Sequence, residues 1–174
     1  MDIASSLGLS PIMKGMKKEA IRIGLAKSSM PTTGLYTLDL TLCDAPKQSI
    51  ILIAGRAASG KTIIAKHLYN CWKDHFNCKL IDEEYEDYQT FSWHDYDYLI
   101  RTCNVNRHIK EYTIDQIKPL KLTYMASHTF LVEKLENRLG VMKITNIKNR
   151  YIQPKYQFFA SFEKLNDQFL IEEL

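Results

Sequence analysis

Residues 49–62 read Ser-Ile-Ile-Leu-Ile-Ala-Gly-Arg-Ala-Ala-Ser-Gly-Lys-Thr, an apolar strand running straight into a GxxxxGK[ST] turn. The strand is Ile50 to Ala54 and the loop Gly55 to Lys61, after which Thr62, Ile63, Ile64, Ala65, Lys66, His67, Leu68 and Tyr69 open an amphipathic helix. Such a bend is a phosphate-binding loop. Gly55 and Gly60 let the backbone curl tightly, so that the N–H groups of Arg56, Ala57, Ala58, Ser59, Gly60, Lys61 and Thr62 can turn inward toward an anion. The helix adds its own unpaired N–H groups and its dipole. Lys61 is then placed for the terminal phosphates of ATP, and the Thr62 hydroxyl for Mg²⁺. Because Ile50 to Ala54 is apolar at every position, the strand belongs in the middle of a sheet covered on both faces.

A chain of 174 residues suits one domain with a substantial core. Residues 35–174 are read as a single α/β domain, three-layered with a mostly parallel central sheet, preceded by a basic segment at 1–34. Cys43, Cys71, Cys78 and Cys103 form no C-x-x-C pair, which gives no support to a zinc knuckle or redox dithiol. No apolar run approaches the length of a membrane span, and Met1 to Ser10 lacks the pattern of a secretory signal. The expectation is an intracellular protein, cytoplasmic or nuclear.

The net charge of +3 is mild, but charge is unevenly spread. Residues 80–100 carry seven acids and no Lys or Arg, whereas residues 101–155 carry eleven basic residues against four acidic ones. The basic region, together with Lys14, Lys17, Lys18, Arg22 and Lys27, leaves nucleic acid open as a partner beside the blander reading of a solvated surface.

Along the chain, Leu35 to Leu42 alternates and is expected as a half-exposed edge strand. The helix from Lys61 should end near Asp74 to Asn77. Cys78 to Ile81 makes a second strand, with Asp82 on the same sheet edge as the loop. Asp82, Glu83 or Glu84 can serve there as metal-side carboxylate or proton acceptor. The aromatic stretch Glu83 to Tyr98 suits either a base-stacking pocket or a small core under a loop. Helices are expected at Asp95 to Cys103, at Tyr112 to Ile117, at His128 to Leu139 (capped by Ser127 and Gly140) and at Lys155 to Leu170. A strand is expected at Leu120 to Met125, and strand or turn at Val141 to Ile147. Arg101, Arg107 and Arg138 are candidates to close over the phosphates. Asp82 lies only about twenty residues after Lys61, which is short for a motor ATPase, and no polar sensor strand stands out.

Ala54 to Thr62 resembles the loop of the uridine kinase and nicotinamide riboside kinase group. In that resemblance Asp82 takes the place of the base that accepts the proton of a nucleoside hydroxyl. Phe91 to Leu99 is similar to a Trp-Asp-His-Pro-like element and the helix start after it, lacking the proline; Phe130 to Gly140, particularly Glu136-Asn137-Arg138, is similar to an Arg-bearing lid segment, and Pro154 to Phe159 to a Pro-x-His-x-x-Phe element. The resemblance implies a kinase passing the γ-phosphoryl of ATP to a nucleoside-like small molecule, with Lys61, Asp82, Arg138 and Arg107 catalytic and Thr62 and Asp82 at Mg²⁺. The alternatives are a nucleic-acid-associated P-loop NTPase, and a non-catalytic scaffold or assembly protein, with a homo-oligomer open in either case.

Overall fold

The computed structural model describes residues 30–43, 45–82, 93–105, 125–149 and 156–174. Its elements are α1 (Tyr36–Leu42), β1 (Ser49–Gly55), α2 (Lys61–Trp72), β2 (Cys78–Ile81), β3 (Tyr98–Asn104), β4 (His128–Lys134), β5 (Val141–Asn149), β6 (Gln157–Leu165) and β7 (Gln168–Glu173). The strands form one sheet in the order β2-β3-β1-β4-β5-β6-β7. The first four strands run parallel, and β4 through β7 pair antiparallel. This is the α/β architecture expected from the loop and its strand.

Every residue of β1 is buried, as its unbroken apolar run requires. Ile51 and Ile53 pack with Ile64, Leu68 and Trp72 of α2, while Ile50, Leu52 and Ala54 pack with Leu99, Cys103 and Leu131 on the opposite face. After β3 the chain passes to the other side of β1 to make β4. The order of the sheet therefore switches at β1, and the crevice beyond its C-terminal end is where α/β sheets of this kind hold ligands.

Four expectations are corrected. The segment 35–42 is a helix, α1, because Leu35, Leu38 and Leu42 lie at i, i+3 and i+7 and bury almost completely, a face that outcompetes the alternation. Its first turn is held from far along the chain: the Thr37 N–H donates to Glu173 Oε2 (2.7 Å), and the Thr37 hydroxyl donates to Glu173 Oε1. The helix expected at Asp95 to Cys103 is a short 3₁₀ turn at Trp93–Asp95 followed by β3, whose residues Tyr98 to Cys103 are buried between β1 and β2. The helix expected at His128 to Leu139 is β4 and a turn. There Phe130, Leu131 and Val132 bury consecutively, as only a strand covered on both faces allows, and Gly140 (φ +72°) opens β5 instead of ending a helix.

The last helix, expected at Lys155 to Leu170, is the hairpin β6-β7. It turns at Asn166 and Asp167, both left-handed (φ 47° and 65°), which is the backbone a two-residue hairpin needs. Val141 to Ile147 resolves to strand. The helix at 112–117, the Glu83 and Glu84 alternatives, Arg107, Pro154, the segment 1–29 and the strand at 120–125 up to Tyr124 lie outside the described residues.

Candidate functional site

Gly55 ends β1 and the chain turns at once, with the Ser59 N–H donating to the Arg56 carbonyl (3.1 Å). Ala58 (φ 59°) and Gly60 (φ 98°) are both left-handed on either side of Ser59, an alternation that turns successive amides toward one side of the bend. Gly60 then leads into α2, whose opening N–H groups have no acceptor within the helix.

Both glycines are dictated by close approach within the protein. A Cβ on Gly55 would overlap Ser59 Oγ and come within 2.7 Å of the Val132 carbonyl oxygen, which is backbone and cannot swing away. A Cβ on Gly60 would press on the Met142 thioether at 3.3 Å. The loop is thus seated against β4 and β5. Lys61 is 2% exposed, so its stem is packed into this seat. Ser59 Oγ is buried and has no hydrogen-bond partner among the described residues, an arrangement that costs stability unless an anion or water meets it.

Asp82 follows the last residue of β2, where the chain reaches the loop's edge of the sheet, and it is 7% exposed. Thr102 Oγ1 donates to Asp82 Oδ1 at 2.9 Å. Thr102 lies opposite Ile53 of β1, and Asn104 lies opposite Gly55 itself. The acid strand is therefore not a neighbour of the loop strand: β3 stands between them and carries a threonine and an asparagine to the crevice. Sequence reasoning missed Thr102 because it made Asp95 to Cys103 helical, and Asn104 because it fell just beyond that helix. The signal was the run Tyr98 to Cys103, apolar and β-branched at most positions and bounded by polar residues.

The remaining predicted residues are not all brought together. Thr62 is half-buried at the start of α2, while Arg56, Ala57 and Ala58 are exposed on the outer side of the bend. Arg101 is buried in β3, where alternation puts it with Leu99 and Cys103 on the face away from α2. Arg138 sits in the turn between β4 and β5, not on a lid helix. Tyr98 is a core residue, packed against Trp72 (4.8 Å between rings) and Phe76 (5.0 Å), with its hydroxyl donating to the Ala45 carbonyl; burial pushes that phenol up to about 12.

Two clefts flank the loop. One, of about 320 Å³, runs along Gly60, Lys61, Thr62 and Lys66 and is walled by Phe162 and Phe169. The other, of about 340 Å³, lies between Arg56, Ser59, Val105 and the β4 end, where Glu133 pairs with Lys143 at 2.7 Å. Among the described residues no group of His, Cys, Asp and Glu side chains forms a ready metal cage. An ion held by one hydroxyl, one carboxylate and phosphate oxygens needs no such cage, and Thr62, Asp82 and the orphaned Ser59 hydroxyl fit a magnesium nucleotide. No described helix is long and apolar enough to cross a membrane.

No protein-family model matches this sequence, and no curated protein matches it. Among solved structures, the chain is similar to a DnaB-like replicative helicase studied with primase, at 10% identity and a TM-score of 0.55, over 97% of this chain and 73% of that one. It is similar also to a solved ATPase domain (10% identity, TM-score 0.58, 93% and 99% covered) and to the RadB recombinase (12%, 0.56, 83% and 100%). These likenesses show the fold, an α/β P-loop-type NTPase fold. They overturn the resemblance to uridine and nicotinamide riboside kinases; the lid segment Phe130 to Gly140 falls here on β4 and its turn, and of the terminal element the described residues Gln157 to Phe159 lie in β6.

Proposed function

We propose that this chain is a P-loop NTPase that binds a magnesium nucleoside triphosphate, hydrolyses it, and works on or beside nucleic acid. One observation carries the reading. The loop closes around a buried, unsatisfied hydroxyl at Ser59, and the same sheet edge presents Asp82 held in place by Thr102. A single phosphate-loop motif explains the first; the second adds a fixed carboxylate where a reacting water has to be oriented.

The roles follow from chemistry. The loop amides and the opening turn of α2 hold the phosphates, and the Lys61 ammonium stabilises charge that grows on the γ-phosphoryl oxygens as the bond breaks. Thr62 and Asp82 supply the hard oxygen donors suited to Mg²⁺, which when bound neutralises phosphate charge. Asp82 fixes the orientation of the attacking water or accepts its proton, and the Thr102 hydroxyl keeps the carboxylate from swinging away. Asn104, opposite Gly55, is the nearest β3 residue to the loop and a candidate to contact that water.

A nucleoside acceptor rested on the kinase resemblance and loses its support with it. Nucleic acid is favoured by the eleven basic residues between 101 and 155 and by the likeness to a helicase and a recombinase. Self-assembly is likewise part of the reading. The test is release of inorganic phosphate from ATP with Mg²⁺, measured with and without single-stranded DNA. We expect turnover stimulated by DNA at low salt and lost in Asp82→Asn. Nucleotide binding without any phosphate release, with or without nucleic acid, would leave a binding scaffold instead of an enzyme.

A further inference from the structure

The cleft along the start of α2 has an unusual far wall. Phe162 of β6 and Phe169 of β7 sit diagonally across the hairpin, Phe162 opposite Ile171 and Phe169 opposite Lys164, with rings 6.1 Å apart and 63° between their planes. Phe162 lies at the margin of the main core, but Phe169 is 41% exposed. Leaving a phenyl ring that open forgoes burial that a residue nearer the core would gain. Both rings line the same 320 Å³ cleft as Gly60, Lys61, Thr62 and Lys66. Of the two clefts beside the loop, this is the one that begins at Lys61 and Thr62, so it has room for the part of a nucleotide that lies beyond phosphates resting on the loop.

The chemistry of the lining sets what the far end recognises. Among the described residues, the side-chain polar groups of this cleft are two ammoniums and a hydroxyl, all on α2. No carboxylate, amide or imidazole faces the rings, so nothing in the described lining pairs donors and acceptors with the edge of one particular base. A π-face, by contrast, is common to all bases, and stacking on aromatic side chains tolerates any of them.

We propose that Phe162 and Phe169 form the platform on which the nucleobase stacks, and that the site therefore takes purine and pyrimidine triphosphates alike. The inference rests on the phosphate-loop reading above and deepens it by naming the substrate class as nucleoside triphosphates without base selection. Phe169, at the open edge, carries most of the contact that can be removed without disturbing the core.

Titration calorimetry on the full chain with Mg²⁺ tests this, using ATP, GTP, CTP, UTP and inorganic tripolyphosphate as probes. The four nucleotides are expected to bind within about fivefold of one another, each about tenfold tighter than tripolyphosphate. Phe169→Ala should bring all four down toward tripolyphosphate while leaving tripolyphosphate itself unchanged, which also reports that the loop remains folded. In Phe169→Trp, indole fluorescence should be quenched by every nucleotide and not by tripolyphosphate. A preference above about fiftyfold for one base, or nucleotide affinity untouched in Phe169→Ala with tripolyphosphate still bound, overturns the stacking platform alone. Failure of tripolyphosphate and all nucleotides to bind the wild-type chain removes the phosphate-loop reading and the platform together.

Discussion

The two halves of the sheet solve different problems. The parallel half, β2-β3-β1-β4, brings four strand ends to one crevice; its central strand β1 is buried throughout and apolar without alternation beyond Ser49, and Thr102, Asn104 and Asp82 lie at or just past the crevice ends of β3 and β2. The antiparallel half, β5-β6-β7, turns one face to the core through Met142, Ile144, Phe158 and Ala160 and loses burial toward its rim, where Leu165, Leu170 and Leu174 are about half exposed. The first half carries the phosphate-loop motif at the end of its central strand. The second is a shield whose inner face presses Met142 onto Gly60 and brings Phe162 and Phe169 to the loop. Burial is concentrated beside the loop, and exposed apolar surface at the rim.

That contrast can be broken most directly by Lys61→Ala. Phosphate release should fall by about a hundredfold or more, because a charge-stabilising donor is removed from a preorganised site. Urea unfolding should also show a loss of about 1–3 kcal/mol from the space left by the buried stem, and retention of full turnover would take catalysis out of the parallel half. Next in size, Leu52→Ala in β1 should destabilise by about 3 kcal/mol through the cavity it leaves, against about 0.5 kcal/mol or less for Leu170→Ala at the rim. Equal costs in chemical denaturation would erase the distinction between centre and rim.

Acid sharpens the comparison at the base of β4. His128 is fully buried, its Nδ1 2.9 Å from Ser127 Oγ, and burial pushes its imidazolium down to about 4 despite a bond to the Thr41 backbone. The unfolded chain, with its ordinary value near 6.5, then binds the proton first. Stability is full above about 6.5, falls as pH drops, and has lost about 3 kcal/mol by pH 4. His128→Gln should flatten that slope in urea midpoints measured from pH 7 to pH 4. The smallest effect belongs to the hairpin: Asp167→Gly, at φ 65°, should stabilise by about 0.5 kcal/mol by relieving a left-handed backbone. A melting temperature that falls instead would show that Asp167 does more than turn the chain.

What could be read beforehand follows the same division. β1, the loop, α2 and β2 were legible because their signals are local: an unbroken apolar run, two glycines at fixed spacing, and a helix face. Elsewhere two periodicities coexist. Leu35, Leu38 and Leu42 make a helix face and Leu38, Leu40 and Leu42 a strand face; burial of the first set decides for the helix, and the docking of Glu173 onto Thr37 and of Asp39 under the Thr33 N–H and hydroxyl holds it, contacts that the local sequence does not announce. Phe158, Ala160 and Phe162 alternate within a segment that also fits a helical stripe; the discriminating residues were Asn166 and Asp167, a turn pair placed between two alternating runs. Asp82 was legible as an acid at a strand end, but the strand between it and the loop was not, since that insertion depends on which strands meet in space. Thr102 and Asn104 stayed hidden with it.

The clasp between Glu173 and Thr37 joins positions 136 residues apart, and it occupies a donor in the first turn of α1 that no residue nearby satisfies. A chain being synthesised carries the phosphate loop long before the strand that completes this contact exists. The contact between α1 and β7 therefore waits for residue 173 to be made, and as a pairing of positions far apart in sequence it carries the loop-closure cost that local elements such as the glycine bend and α2 avoid.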